Sequence, residues 1–268
     1  MEYDFICPKC SSPLALKGKS YVCENGHCYD LAKSGYVNLV LANQKNSAEA
    51  GDNKEMIEAR KIVMEGNYYQ KLADDIINYL SNNKINSILD AGCGIGYIPY
   101  RLSIAFPKAT ILGADISKEA ILSASKKYKD IPFAVASSIR LPIKSSSVDA
   151  LICAFAPVFS QEFCRVLGEN GLFLRVIPDK KHLLSLKELL YETPYENELD
   201  PLEISGFEYI DTISSKKEIV ASGKYLHSII KMTPYYYHTR KSDIESLLSL
   251  GETAINLEFA IRIYKKLP

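Results

Sequence analysis

Between residues 85 and 191, short runs of Ile, Val, Leu and Ala alternate with amphipathic stretches, and that alternation leaves few folds open. The apolar runs fall at residues 85–91, 110–115, 133–137, 148–155 and 172–178; helical spacing appears at 99–106, 118–128, 159–167 and 182–191. Near-continuous apolar strands, buried on both faces and separated by helices, predict an open α/β sheet that is largely parallel. Two longer, more polar β segments at 207–220 and 254–264, with helical stretches between them, suit an antiparallel hairpin closing one edge. Upstream, residues 54–64 and 68–80 carry apolar residues at helical spacing after a polar stretch at 43–53. The expected organisation is therefore an N-terminal module at 1–42, linking helices at 43–82 and the main domain at 83–268.

The segment Leu89-Asp90-Ala91-Gly92-Cys93-Gly94-Ile95-Gly96-Tyr97 joins the first apolar run to the first helix. Its glycines let the chain turn tightly and bring backbone close to a ligand. A strand–helix turn without a ligand would use the same residues, but three details favour an occupant. The spacing is Gly-x-Gly-x-Gly, where a dinucleotide fingerprint wants Gly-x-Gly-x-x-Gly. Asp90 precedes the loop, awkward beside a pyrophosphate but useful beside an ammonium group. Asp115 ends the next strand, where an acid can accept hydrogen bonds from both ribose hydroxyls, although it could instead cap the helix that follows. Strand ends in such sheets collect at one crevice, so Ser137 and Ser138, and then Phe155, Ala156 and Pro157, are expected to face the same ligand.

Four of seven cysteines, Cys7, Cys10, Cys23 and Cys28, crowd the first 28 residues, and this region has too little apolar periodicity to fold unaided. Cys7-x2-Cys10, a 12-residue spacer and Cys23-x3-His27 give the ligand spacing of a closed, tetrahedral, structural zinc site. Cys28, beside His27, is an alternative fourth ligand.

Lysine plus arginine and aspartate plus glutamate both total 32, so the formal net charge is zero. Nothing global advertises a polyanion partner, although a local patch can bind phosphates in a neutral protein. The segment Met1-Glu2-Tyr3-Asp4 lacks the layout of a secretory signal and no apolar run approaches the roughly 18 residues of a membrane span. A cytoplasmic protein without membrane contact is expected, and in a reducing compartment clustered cysteines favour metal over disulfides.

Asp90, the three glycines and Asp115 resemble the adenosylmethionine-binding motifs of class I methyltransferases over residues 85–180, which makes a Rossmann-like class I methyltransferase sheet the expected fold. The whole chain is further similar to the bacterial 23S rRNA guanine-N1 methyltransferase A family, RlmA. That similarity rests on the cysteine module running into Asp30-Leu31-Ala32-Lys33-Ser34-Gly35-Tyr36, on Gly51-Asp52 with Ala59-Arg60, and on the glycine loop. It continues in Val135-Ala136-Ser137-Ser138, Ala156-Pro157, Lys181-His182-Leu183 and Met232-Thr233-Pro234. The resemblance implies a homodimeric enzyme that methylates N1 of a guanine in one hairpin of 23S rRNA. It further implies zinc held by Cys7, Cys10, Cys23 and His27, selecting His27 over Cys28, and cofactor contacts from Tyr69, Gly94, Ile95 and His182.

Methyl transfer from a sulfonium is an in-line displacement that mainly needs positioning and exclusion of water. No Asn/Asp-Pro-Pro-Tyr/Phe follows the fourth strand, which disfavours an exocyclic amine as acceptor, and Cys153 lies outside any Pro-Cys pair, which disfavours cytosine C5. No catalytic base can be named. Phe155, Tyr235, Tyr236 and Tyr237 are candidates to stack a splayed base, and Pro157 and Thr233 join Phe155 and Tyr235 as candidate substrate contacts. A small-molecule methyltransferase is the competing reading, favoured by the neutral charge; a binding protein that has lost catalysis is the third, opposed by the retained Asp90, Gly92, Gly94, Gly96 and Asp115.

Overall fold

The computed structural model describes residues 5–41, 54–233 and 235–268. The polar stretch 43–53 with its Gly51-Asp52, the first four residues, Pro234 and the side chain of Tyr237 lie outside the described part.

The five apolar runs form the parallel heart of an eight-stranded sheet: β5 (Ser87–Ala91), β6 (Thr110–Asp115), β7 (Phe133–Val135), β8 (Val148–Ala154) and β9 (Leu167–Pro178). The return helices are α3 (Tyr97–Ala105) after β5, α4 (Lys118–Lys127) after β6 and α5 (Ser160–Val166) after β8; α6 (Leu184–Leu190) follows β9. Strands β10 (Phe207–Ala221) and β11 (Thr253–Lys266) pair antiparallel from Phe207↔Lys266 to Ala221↔Thr253, and β11 pairs antiparallel with β9. Three helices, α7 (Gly223–Lys231), α8 (Tyr235–His238) and α9 (Lys241–Ser249), fill the connection between them.

The order is β10-β11-β9-β8-β5-β6-β7 with a final edge strand, β4 (Val37–Asn38), parallel to β7. From the central β5 the chain proceeds first to β6 on one side and later to β8 on the other. That reversal opens a crevice at the carboxyl ends of the strands, where a ligand binds in sheets of this kind.

The helices α1 (Lys54–Glu65) and α2 (Gln70–Ser81) are more than the connectors the sequence suggests. Leu72, Ala73, Ile76 and Leu80 form one face of α2 and sink into the largest apolar cluster beside Ile88, Leu174, Val176 and Ile261; Val63 of α1 joins them. Each buried Leu, Ile or Val among them contributes roughly 1.5–3 kcal/mol by leaving water, so both helices are integral to the main core.

The N-terminal region is likewise stitched to the sheet. Its three antiparallel strands, β1 (Ala15–Lys17), β2 (Ser20–Val22) and β3 (Cys28–Asp30), have three residues each and form too small a sheet to stand alone. The Ile6 N–H donates to the Pro142 carbonyl and the Leu39 N–H to the Val135 carbonyl, both at 2.9 Å. Phe5, Leu14, Tyr21 and Val37 share one buried cluster with Leu89, Ala114 and Ile143.

Candidate metal centre and cofactor crevice

Two tight turns build the metal centre. In the first, the Cys7 N–H donates to the Ser12 carbonyl and the Ser11 N–H to the Cys7 carbonyl; in the second, the Cys23 N–H donates to the His27 carbonyl. The ligand atoms of Cys7, Cys10, Cys23 and His27 all lie within 4.8 Å of one another. His27 Nδ1 is 3.4 Å from both Cys7 Sγ and Cys23 Sγ, and Cys10 Sγ is 3.7 Å from Cys23 Sγ. A tetrahedral zinc with ordinary bond lengths wants edges of about 3.8 Å between sulfurs and about 3.5 Å from sulfur to nitrogen. Three edges thus match Zn²⁺ closely, and all four ligand atoms lie near enough together to share one ion. Around them, the Asn25 amide donates to Cys10 Sγ at 3.4 Å and draws that thiol down to about 5, while the Tyr29 hydroxyl lies 3.2 Å from Cys7 Sγ. Cys28 is exposed, points at Asp30 and stands outside the group. A closed four-ligand set leaves no position for a reacting water, so the centre is structural.

The crevice is built on the carboxyl end of β5. Gly92 and Cys93 N–H groups both donate to the Ala114 carbonyl, at 2.7 and 3.0 Å, and hold the loop against β6. Gly92 has φ +90°, and a Cβ there would stand 2.7 Å from the Ala156 Cβ; Gly94 has φ +51° and open space where a Cβ would point. One glycine thus permits packing and the other leaves room for a ligand. Gly96 turns the chain into α3 and a Cβ would strike Phe133 at 2.8 Å, so it serves packing and does not border the crevice.

Asp90, Gly92, Gly94, Ile95, Tyr69 and Phe155 line one cavity. Asp90 is 1% exposed, and its Oδ1 has no hydrogen-bond partner. Burial, with the Asp115 charge behind it, pushes the Asp90 carboxyl up to about 8. An orphaned carboxylate oxygen facing a cavity is a costly arrangement that a ligand's ammonium group relieves.

Asp115 stands one hydrogen bond behind that lining. Its Oδ2 accepts from the Gly94 N–H and its Oδ1 from the Ser117 N–H, both at 2.8 Å. Ser117, through its own hydroxyl, caps α4, which removes the helix-cap reading of Asp115. A carboxylate oxygen has two lone pairs, so ribose hydroxyls can still be accepted. Together the orphaned Asp90 oxygen, the open approach at Gly94 and the acid at the end of β6 fit S-adenosylmethionine.

Four rings pack together beyond, of which Tyr69 and Phe155 line the cavity. Phe259 packs against Tyr69 at 5.1 Å, Phe155 at 5.4 Å and His182 at 4.5 Å between centroids. His182 does not border the cavity: it is buried behind Phe259, its Nδ1 accepts the Glu258 N–H at 3.2 Å, and burial lowers it to about 4, so its ring is neutral. Phe155, by contrast, is 40% exposed and sits at φ +57°. For a bulky side chain that backbone is strained, and such strain collects at functional sites.

The remaining candidates fall elsewhere. Ser138 is half-buried beyond the end of β7, outside the cavity lining. Pro157 is exposed two residues past Phe155, and its carbonyl accepts the Cys153 thiol. Thr233 and Tyr235, expected as substrate contacts, do not line the crevice. The Thr233 hydroxyl donates to the Ile230 carbonyl at 2.6 Å, closing the end of α7, and the Tyr235 hydroxyl donates to Asn197 Oδ1 at 3.0 Å. Both hydroxyl protons serve the fold. Conversely, Arg60 and Met64 of α1 line the crevice, and Phe259 of β11 backs two of its lining rings, Tyr69 and Phe155; periodicity put Met64 and Phe259 on a helix and a strand, and Ala59-Arg60 entered only through the family resemblance, without a role.

Among known protein families, the one described as "RlmA, N-terminal" matches residues 5–48 and the one described as "Methyltransferase domain" matches residues 88–171. A Bacillus subtilis (strain 168) protein, provisionally named 23S rRNA (guanine-N(1)-)-methyltransferase YxjB, is 30% identical over 98% of this chain and 97% of its own. The 23S rRNA (guanine(748)-N(1))-methyltransferase of Streptomyces fradiae is 31% identical over 69% of this chain and 66% of that one. Among solved structures, the YcgJ protein from Bacillus subtilis superposes with a TM-score of 0.48 and 16% identity, covering 75% of this chain and 100% of that one. The YxjB likeness runs through metal turns and glycine loop alike and leaves almost none of either chain unmatched; this chain belongs to the 23S rRNA (guanine-N1)-methyltransferase family that carries the RlmA zinc ribbon.

Proposed function

We propose that this chain transfers a methyl group from S-adenosylmethionine to N1 of a guanine in a 23S rRNA hairpin, acting in the cytoplasm as a homodimer, with the zinc module touching the RNA. The observation that carries this reading is the identity to the YxjB relative over 98% of the chain, through ribbon and methyltransferase sheet together. Bound S-adenosylmethionine supplies an electrophilic methyl on a sulfonium. Asp90 takes its ammonium end, Asp115 the ribose hydroxyls, Gly94 and Ile95 the close backbone approach, and Tyr69 an apolar wall. Gly92 and Gly96 shape the loop, while Ser138 and His182 bound the site from beyond the first layer of contacts.

At the exposed rim, Phe155 stacks the splayed guanine, as aromatic side chains do with unpaired bases, with Pro157 beside it. Guanine N1 must lose its proton as the new bond forms. His182 is a poor receiver for it: burial lowers its pKa to about 4, its Nδ1 already accepts the Glu258 N–H, and it is buried against Phe259. The chain's chief contribution is then orientation and exclusion of water.

Zero net charge favours a second reading, a small-molecule acceptor in the same crevice. Radiolabelled S-adenosylmethionine, offered with unmodified 23S rRNA, total tRNA and protein-free metabolites, separates the two. Label at one hairpin guanine of 23S rRNA, seen as a primer-extension stop, supports the rRNA reading; label confined to metabolites overturns it.

A further inference from the structure

Asp90 answers the ammonium of an amino-acid ligand and leaves the carboxylate of that same ligand without a stated partner. Among the described residues lining the cavity, Asp90 is the only carboxylate and Arg60 the only cation. The two come from different elements, Asp90 from β5 and Arg60 from α1. A zwitterion presents one charge of each sign from a single carbon, and this lining offers the complement of each.

The face of α1 that meets the crevice is fixed by packing. Ile57 is buried against Ile95 of the glycine loop and Ala120, and Met64 packs on the same small cluster while also lining the cavity. Arg60 lies three residues after Ile57 and four before Met64, which places all three on one side of the helix. Its charge is felt at the hydroxyl of Tyr69, the neighbouring wall. Arginine suits this task because its planar fork meets a carboxylate with two parallel N–H donors, where a lysine would act as a point charge.

We propose that Arg60 binds the α-carboxylate of the cofactor's amino-acid end while Asp90 binds its ammonium group, so that the pair selects an intact zwitterion. This rests on the reading that the crevice holds S-adenosylmethionine. Arg60 is a binding residue here and takes no part in the displacement itself.

The test compares two ligands that differ only at the group in question: S-adenosylhomocysteine and its decarboxylated counterpart, titrated calorimetrically into the full zinc-loaded chain. For Arg60→Gln, the affinity for S-adenosylhomocysteine is expected to fall about 10- to 100-fold, the range for a lost hydrogen bond to a charged group. The affinity for the decarboxylated ligand should stay within about threefold of wild type, which also reports that the crevice is still formed. Arg60→Lys keeps the charge without the fork, should fall between the two, and reads the same ratio if glutamine disrupts α1. Equal loss for both ligands, or loss for neither, overturns the assignment and leaves the cofactor reading standing. Wild-type protein that binds neither ligand overturns the cofactor reading, and the role of Arg60 with it.

Discussion

Asp90 and Asp115 end adjacent parallel strands of one sheet, and the fully buried Asp90 titrates near 8 because burial and then the Asp115 charge both resist its ionisation. A carboxyl raised from 3.8 to about 8 binds its proton more tightly in the folded state, so its contribution to stability is largest below pH 4 and is lost as pH rises toward 8. Asp90→Asn should therefore raise the Tm of the ligand-free protein at pH 8, by about 5 °C, while cofactor binding collapses. Calorimetry with and without S-adenosylhomocysteine measures both, and a lower Tm would show that the carboxylate is compensated in a way its orphaned oxygen does not suggest.

A second consequence is that cofactor binding should itself depend on pH. The ammonium group needs an ionised Asp90, so below about 8 binding must expel a proton, and affinity should fall up to tenfold per pH unit beneath that point. Titrations in buffers of different ionisation enthalpy count the proton released; no release at pH 7 would place the ammonium elsewhere.

The loop glycines should fail differently. Gly94→Ala meets open space, so apart from roughly 1 kcal/mol of backbone strain at positive φ it should leave stability alone and weaken the cofactor. Gly92→Ala drives a methyl to 2.7 Å from the Ala156 Cβ and should lower the Tm first. Thermal melts beside ligand titrations sort the two; identical profiles would contradict the geometry.

Phe155 offers a test of substrate contact. Replacing it with glycine relieves the φ of +57° and removes the ring at once. The variant should melt no lower than wild type yet methylate 23S rRNA roughly 5- to 150-fold more slowly, the worth of one base stacked on an aromatic side chain. Unchanged turnover would move the guanine away from this rim.

Removing zinc should be felt far from the metal. Cys7 and Cys23 share a buried cluster with Leu89, Ala91 and Ala114, so chelation is expected to lower the melting of the whole chain in a single transition. His27→Ala should release the ion to a chromophoric chelator where Cys28→Ser does not; two independent transitions would mean that the ribbon folds apart.

Much of this was legible because periodicity reports directly which faces are buried. The strands at 110–115 and 133–135, the hairpin of β10 and β11, and the helices around 118–127 and 54–65 follow from spacing alone. Periodicity does not say against what a face is buried. The stripe of Leu72, Ala73, Ile76 and Leu80 would look the same on a linker helix, and it is the sheet that claims it. At two residues, β4 is too short to carry an alternation. Asp90 and the glycine loop stood out because chemistry and spacing coincide within eight residues. Arg60 reaches the crevice from α1 and Phe259, from β11, packs behind its rim residue Phe155, and their convergence exists only after the chain has folded.

The two-residue pairing of β4 with β7 gives the metal a second duty. Strand β7 has β6 on one side, and on the other, among the described residues, Val37 and Asn38 pair with it and the Leu39 N–H bonds Val135. An uncovered strand of this kind is a template for any other extended chain. The four metal ligands of the ribbon thereby sit on the same stretch of chain that screens the edge of the sheet, so an ion that holds the ribbon shut would also keep that edge covered.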